Sequence, residues 1–583
     1  MTEYFEVHGR DGAARRGELR LTEPVPTPAL VDDVLEDGGS RWHAEQSVPE
    51  GDDASLTVLP HRALPPGTER PVEDAFTDEY PDVAFPSAAV VSPTTADDYG
   101  ADAYVLSNAG GYVGHAEAFV GALLSVRAAV PDDTALYCPA AATPANVATL
   151  AYAGVDLFDE KRARARGLEG FYLTTDGEAF LEDLGERPCP CPACRTPIEA
   201  FDRTDCAEHN ANALAAELAR VRGRIGQGRL RDYVEGQARH EAWLTATFRR
   251  LDQQYGYLEE RTPVFRRNEL LATTDDTLRR PEIQRFAERV TNRYRRRLDA
   301  PLVLVPCSAR KPYSDSQSHE QFTRAIGYRG HIVSMTSPIG VVPNELETTY
   351  PAQHYDSVVT GEWTETEIGF VAAVLERYLE RADYDRHIAH VPTEYREICE
   401  RVEASLGIDF EYTVSDHPTT DESLAALEDA LGGEPSYYKR ERESATVRAI
   451  ADFQFGDGAG DAVFGPDATT EGIYPKLRVR NGDGDHLATM VPQYGTLSLT
   501  LAGARAWIDS DAPTKRVDID GFVPSGSVLA PGVTGADESI RPGDEVVFEG
   551  PKAFGVGRAA SHGRAMAEGS RGVAVDVRHC AER

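Results

Sequence analysis

At 583 residues the chain is too long for one hydrophobic core and calls for several domains. A formal net charge of −36 would ordinarily exclude a nucleic-acid partner, yet only six of the 60 basic residues are Lys, at positions 161, 311, 439, 476, 515 and 552, so the acidity reads as adaptation to a salt-rich cytoplasm. At about 1 M salt the screening length is roughly 3 Å, which leaves local RNA contacts through Arg open. The opening "MTEYFEVHGRDGAARRG" has no secretory pattern, no apolar run reaches the length of a membrane span, and eight unevenly spaced cysteines do not make a disulfide framework. We therefore expect a cytoplasmic protein in a reducing compartment, without a membrane partner.

Residues 1 to about 85 are rich in Pro, Gly and acids, with short strands expected around "ASLTVLPHRAL". From Ala88 the pattern sharpens. "SAAVVSP", "AYVLSNAGG", "TALYCPA" and "VDLF" read as buried strands. "HAEAFVGALLSVRAAV" reads as an amphipathic helix, and "TPANVATLAYAG" as a helix capped by Thr143. Strands alternating with helices imply a parallel α/β unit, either part of a barrel or an open sheet.

"PCPCPACR" then places Cys189, Cys191 and Cys194 within six residues, and His209 follows fifteen residues later. Three thiolates and an imidazole suit a closed, structural Zn2+ site, with Cys206 a rival for the fourth ligand. A long Arg-rich helical region runs from Asn210 to Leu258, and a second basic zone starts at Arg279. Both are candidates to grip an anionic polymer. A new α/β unit begins at Pro301, with strands expected near 302–305, 331–335, 387–391 and 409–413 and a helix over 364–380. Short strands with Gly and Asp turns fill 440 to about 510, and strands with Gly-Pro turns fill the rest.

Two of these segments carry resemblances. The Cys-x-Cys-x-x-Cys run with a later His-Asn, together with "YAGVDLFDEKRARARG", resembles the tRNA-guanine transglycosylase family over residues 85–225. The resemblance implies a barrel and places Asp159 at the position of the family's nucleophile. The preceding segment is too short for the first half of a full barrel, and no counterpart of the family's general-base Asp is found. "IRPGDEVVF", "FGVGRA" and "RGVAVDVRH" resemble a PUA domain over residues 515–581, a small RNA-binding β-barrel. That makes Arg541, Lys552, Arg558, His562, Arg571 and Arg578 candidate RNA contacts. "ADFQFGDGAGDAVF" resembles the linker domain that precedes PUA in archaeal transglycosylase relatives.

Between these segments lies "PCSARKPYSDSQSH", a strand end opening into a loop with Cys307, Ser308, Lys311, Tyr313, Ser316, Ser318 and His319. A thiol can add to an electrophilic carbon, a cation can lower its pKa or hold a carboxylate, and an imidazole can move a proton. We take Cys307, Lys311 and His319 as candidate catalytic residues. Ser308, Tyr313, Ser316, Ser318 and Asp159 are candidate substrate-binding residues. The loop 337–363 adds Pro343, Glu345, Tyr350, His354, Tyr355, Asp356 and Trp363. The "PCSxxKPYxxSxSH" run, set between a degenerate transglycosylase unit and a PUA tail, resembles the archaeosine synthase family.

That resemblance implies conversion of the nitrile of 7-cyano-7-deazaguanine (preQ0) at position 15 in the tRNA D-loop toward an amidine. The amine donor would be lysine, or glutamine or ammonia; with lysine, a radical SAM partner enzyme completes the product. Relatives suggest a homodimer, and no nucleotide cofactor is expected. The alternatives are an active transglycosylase that inserts preQ0 and a non-catalytic tRNA-binding factor. The expected architecture is an α/β multidomain chain. It comprises a zinc-bearing partial TIM-barrel-like transglycosylase domain with a helical extension (1–285), a central α/β sheet domain (286–435), a small α+β linker domain (436–512) and a C-terminal β-barrel PUA domain (513–583).

Overall fold

Seven short parallel strands form one sheet near the amino terminus, and both of its edges belong to one segment. Ala29–Leu30 pairs with Leu157–Phe158 at one edge, and Leu35–Asp37 pairs with Leu56–Val58 at the other. Only four residues separate the two, so the sheet has to curl. Between the edges run Ser87–Val91, Ala103–Leu106 and Ala135–Tyr137, all in parallel. This computed structural model describes residues 2–65, 67–359 and 361–583. It divides into two compact units, one of Met1–Thr262 with Ser527–Pro542 and Ala560–Ala574, the other of the remaining residues.

In the first unit a three-stranded antiparallel meander, Phe5–Asp11, Ala14–Leu19 and Val25–Thr27, precedes the curled sheet. Arg15 crosses from it to the buried Asp156 and also donates to the carbonyls of Asp132 and Thr134. Breaking such a buried pair from one side costs about 3–5 kcal/mol. The helix expected from Thr143 begins at Val147, with Asn146 in the cap position; the Asn146 side chain instead accepts from the Thr143 N–H at 2.8 Å. The long Arg-rich region is four helices, not one. Arg203–Gln227 ends at Gly228, whose φ of 65° lies in the left-handed region that Gly adopts without a Cβ penalty. Leu230–Gln237, Ala242–Asp252 and Tyr255–Arg261 follow.

The second unit is built on a five-stranded sheet in the order Gly340–Pro343, His331–Thr336, Leu302–Pro306, His387–Ala389, Glu411–Tyr412. All pairs are parallel except the first. Leu302, Val303, Leu304 and Val305 are fully buried, as a central parallel strand covered on both faces requires. Helices Gln317–Ile326, Glu365–Arg381, Thr393–Leu406 and Asp421–Ala430 flank it. Strand Gly340–Pro343 and the paired strands Leu270–Ala272 and Tyr355–Ser357 were not expected from sequence. A four-stranded antiparallel sheet, Thr469–Leu499, packs with helices Lys439–Phe455 and Leu501–Ile508. Strands Arg516–Ile519, Glu545–Glu549 and Ala553–Ala559 come last in this unit, the last of them paired with residues 575–582. Among the described residues no helix is long and apolar enough to cross a membrane.

Candidate active site and metal centre

The thiol of Cys307 opens into a cavity of about 520 Å³. Its walls come from the carboxyl ends of parallel strands: Cys307 after Leu302–Pro306, Ser337 after His331–Thr336, Pro392 and Tyr395 after His387–Ala389, and residues following Leu270–Ala272 and Tyr355–Ser357. Ligands of open α/β sheets bind at this end. The Tyr395 hydroxyl lies 3.5 Å from the Cys307 sulfur. Burial, and then the neighbouring thiol, holds this phenol far above its ordinary range, so it stays a proton donor. Trp363 packs edge-on against Tyr395 at 4.6 Å between ring centres, giving the cavity an aromatic wall. Glu367 closes another side; it accepts from Ser337 Oγ at 2.5 Å and from the Thr364 N–H at 2.9 Å, completing the capping box of helix Glu365–Arg381. Asp275, Glu362 and Glu394 also line the cavity, and among the described residues no Lys or Arg does.

The remaining loop residues hold the site rather than face it. Lys311 lies over the Tyr355 ring, 3.8 Å from its centre, and burial lowers its ammonium pKa while Cys307 opposes that shift. Tyr313 is buried, and its hydroxyl meets that of Tyr355 at 2.8 Å, which in turn meets Thr336. Ser316 caps helix Gln317–Ile326 by accepting from the His319 N–H. Ser318 Oγ lies 3.4 Å from Ser316 Oγ, and Ser308 Oγ accepts from the Arg310 N–H. His319 does not line the cavity. It is buried, stacks on Tyr313, and its Nε2–H donates to the Pro306 carbonyl at 3.0 Å. Burial pushes its pKa down to about 4, so at neutral pH it is an uncharged strut between strand and helix, not a proton donor.

The loop 337–363 is mostly ordered backbone, and Thr360 lies outside the described residues. Glu345 pairs with His331 at 3.0 Å in the interior, and Tyr350 is buried. Pro343 ends a strand, while His354 is half-buried and Asp356 exposed. Only Trp363 of the seven candidates reaches the cavity. Tyr395, Ser337, Glu367 and Glu394 escaped the sequence reading; the rule that strand ends carry function, applied to "HVPTEY" as it was to "VPCS", would have found Tyr395.

Asp159 follows strand Leu157–Phe158 at the carboxyl end of the curled sheet and is buried. Its carboxylate accepts from the Tyr137 hydroxyl at 2.7 Å and from the N–H groups of Ala140 and Lys161. A carboxylate so engaged anchors the 138–161 segment.

Cys189, Cys191, Cys194 and His209 bring their ligand atoms within 4.8 Å of one another; Cys206, buried with Tyr172 and Phe201 in the adjoining apolar cluster, is not among them. The His209 Nε2–H donates to the Leu173 carbonyl at 2.9 Å, which leaves the Nδ1 lone pair facing the sulfurs of Cys194 at 3.3 Å and Cys191 at 3.7 Å. The Tyr172 ring stacks on the imidazole at 3.7 Å. A fixed tautomer aimed at three thiols is the arrangement a tetrahedral metal site uses.

The expected RNA contacts divide. Arg541 pairs with Glu259 at 2.7 Å, Arg578 with Glu545, and the buried His562 with Asp132 at 3.3 Å. Arg558 stacks on Tyr494 and Phe265. Lys552 and Arg571 are exposed, with no ion pair among the described residues. The two Arg-rich zones are largely spent internally: Arg231 is buried against Asp252 and Glu235, Arg285 and Arg289 are buried, and Arg295 and Arg297 pair with Asp457, Asp452 and Asp461.

Family models agree with this layout. Residues 90–242 match queuine tRNA-ribosyltransferase, 283–431 a domain of unknown function (DUF5591), 445–513 the patch-forming domain C2 of tRNA-guanine transglycosylase, and 521–581 the PUA domain. The fold and these matches define a transglycosylase-related, PUA-bearing α/β protein of tRNA modification. Over its whole length the chain is 64% identical to all of an archaeosine synthase of Haloferax volcanii. It is 42% identical, over 99% of both chains, to an archaeosine synthase subunit alpha of Methanosarcina acetivorans. It is 28% identical to a tRNA-guanine(15) transglycosylase of Methanothermobacter thermautotrophicus, over 74% of this chain and 63% of that one. The chain belongs to the archaeosine synthase family.

Proposed function

We propose that the second unit is an amine transferase acting on the nitrile of 7-cyano-7-deazaguanine within tRNA, with Cys307 as nucleophile. The observation that carries this reading is the position of the thiol: it sits beside a proton-donating Tyr395 in a cavity walled by an aromatic ring and four carboxylates. The Cys307 thiol adds to the nitrile carbon while its proton passes, by way of the Tyr395 hydroxyl, to the nitrile nitrogen, and a thioimidate results. The donor's ammonium gives one proton to a lining carboxylate, the freed amine adds to the same carbon, and the carbon–sulfur bond breaks as that proton moves to the sulfur. The thiol is regenerated and the nitrile plus amine have become an amidine. No other co-reactant is consumed.

The carboxylates favour a cationic donor over a neutral amide and repel phosphate, so the base enters and its backbone stays outside. We infer that the donor is lysine. A cavity of about 520 Å³ has room for a purine-sized base beside an amino acid. Lys311, Tyr313, Tyr355 and His319 hold the loop that positions Cys307. The transglycosylase-like domain, with zinc on Cys189, Cys191, Cys194 and His209, is scaffold, because Asp159 has no free carboxylate face. Lys552 and Arg571 are the PUA contacts to tRNA. The four sequence-derived regions, 1–285, 286–435, 436–512 and 513–583, serve as scaffold, catalytic, linking and RNA-binding parts.

The test is nucleoside mass spectrometry of nitrile-bearing tRNA incubated in high salt with the protein and lysine, glutamine or ammonium. A gain equal to one lysine is the expected result. A gain of ammonia alone overturns the donor. Bound but unchanged tRNA with every donor overturns the catalytic reading.

A further inference from the structure

The run Tyr437–Arg442 reads Tyr-Tyr-Lys-Arg-Glu-Arg and holds one of the chain's six lysines. Lys439, Arg440 and Arg442 occupy the first turn of helix Lys439–Phe455. Cations there oppose the positive end of the helix dipole, so helix stability does not account for them. Most of the arginines described above are spent on carboxylates, but Arg440 and Arg442 are not. Arg442 lies flat over the Tyr328 ring at 3.5 Å, and its Nε is buried without a hydrogen-bond partner. Arg440 and the nearby Arg324 are exposed and carry no ion pair among the described residues. Lys439 has a single 3.6 Å pairing with Glu443.

Of these side chains Lys439 and Arg442 line a cavity of about 400 Å³, separate from the one at Cys307, to which Tyr328, Tyr437 and Tyr474 add aromatic surface. Tyr328 is 43% exposed at a φ of 60°, a left-handed conformation strained for a non-Gly residue, and the Tyr437 N–H donates to its carbonyl. The strain holds an exposed aromatic ring at the cavity. Of the cavity's acids, Glu345 is taken by His331, and Glu347 by the Ser314 N–H and the Tyr474 hydroxyl. Glu443 Oε1 is buried and faces the Lys439 ammonium at 3.6 Å. The cavity is too large for an inorganic anion alone. Cations interleaved with aromatic faces are the composition that single-stranded nucleic acid selects.

We propose that this cavity is a second RNA-binding site, which takes one unstacked nucleotide of tRNA. Lys439 and Arg442 hold phosphate at the rim, with Arg440 adding positive charge from the same helical turn, and the base lies against the tyrosines inside. Ser314 borders the cavity and belongs to the loop that carries Cys307 and Lys311, so nucleotide capture here anchors RNA beside the catalytic loop. The inference rests on the reading above that tRNA is the substrate, and it adds a site outside the PUA segment.

The test uses the full chain and tRNA labelled for anisotropy across a salt series. Arg440→Gln/Arg442→Gln is expected to bind about tenfold more weakly, with a salt slope shallower by about 1–2. Arg480→Gln, which removes an exposed partner of Glu471, serves as control and is expected to match the unsubstituted protein. Because the double variant could lose affinity through misfolding, tRNA carrying 4-thiouridine is also photocrosslinked to the unsubstituted chain; crosslinked peptides spanning 437–442 are expected. Unchanged affinity and slope in the double variant, with no crosslink there, overturns the proposal alone. If the unsubstituted chain fails to bind tRNA, the functional reading falls with it.

Discussion

The Tyr395 hydroxyl stands 3.5 Å from the Cys307 sulfur, and the two arrive from different strand ends of one sheet. The Tyr395 ring is held by Trp363, so its reach toward the thiol is set by packing. Tyr395→Phe keeps that packing and removes only the donor. We expect single-turnover amine transfer to slow about 10²–10⁴-fold, the range of general-acid contributions. A rate within twofold of the unsubstituted protein would remove Tyr395 from the chemistry.

The carboxylate lining makes a separate prediction about the donor. Glu362→Gln/Glu394→Gln takes away two negative charges without changing shape. The KM for lysine should rise about tenfold, while selectivity for lysine over glutamine narrows. Steady-state kinetics with both donors reads this directly, and equal effects on the two would place the donor elsewhere.

The metal centre predicts one zinc per chain by elemental mass analysis and its loss in Cys191→Ser. Metal binding contributes directly to the stability of such a site, so the variant, or the protein held with a chelator, should melt several degrees lower. A chain without zinc that melts at an unchanged temperature would argue that the cluster has no structural metal.

His319 links stability to pH. Its pKa, about 4 in the fold, lies below the ordinary value of 6.5. Its contribution is therefore complete above pH 6.5 and is lost as pH falls from there toward 4, because the unfolded chain binds the proton first. Other buried histidines, His209 and His390 among them, shift in the same direction, so the informative quantity is a difference. Denaturant unfolding of His319→Gln should show a weaker loss of stability across pH 6.5 to 4 than the unsubstituted protein. Parallel curves would contradict the buried, neutral assignment.

Asp159→Asn should be a folding variant rather than a catalytic one. Asn can accept from Ala140 but adds donors where three already point inward, a cost of about 1–3 kcal/mol. Guanine exchange into tRNA should be absent from both the variant and the parent. Exchange by the parent that Asp159→Asn abolishes would restore the transglycosylase reading.

Much of this was legible in the sequence because the relevant signals are local. The apolar run 302–305 and the cysteine spacing each sit in one stretch of chain: the first is the central strand Leu302–Pro306, and the second brings three thiols together with His209. Arginines misled for the opposite reason: Arg231 and Arg285 look like surface cations in sequence, and only tertiary packing shows them buried. His319 and Asp159 carried the right chemistry for catalysis, but their hydrogen-bond partners, Pro306 and Tyr137, are set by the fold. Tyr395 was missed because it is 88 residues from Cys307 and no local pattern joins them.

The most direct test of the account is a single-turnover comparison of the unsubstituted protein with Cys307→Ala on nitrile-bearing tRNA, with lysine in excess and products read by nucleoside mass. The account predicts a one-lysine gain for the unsubstituted protein and at least a hundredfold slower conversion for Cys307→Ala. Conversion by Cys307→Ala at the rate of the unsubstituted protein would contradict it.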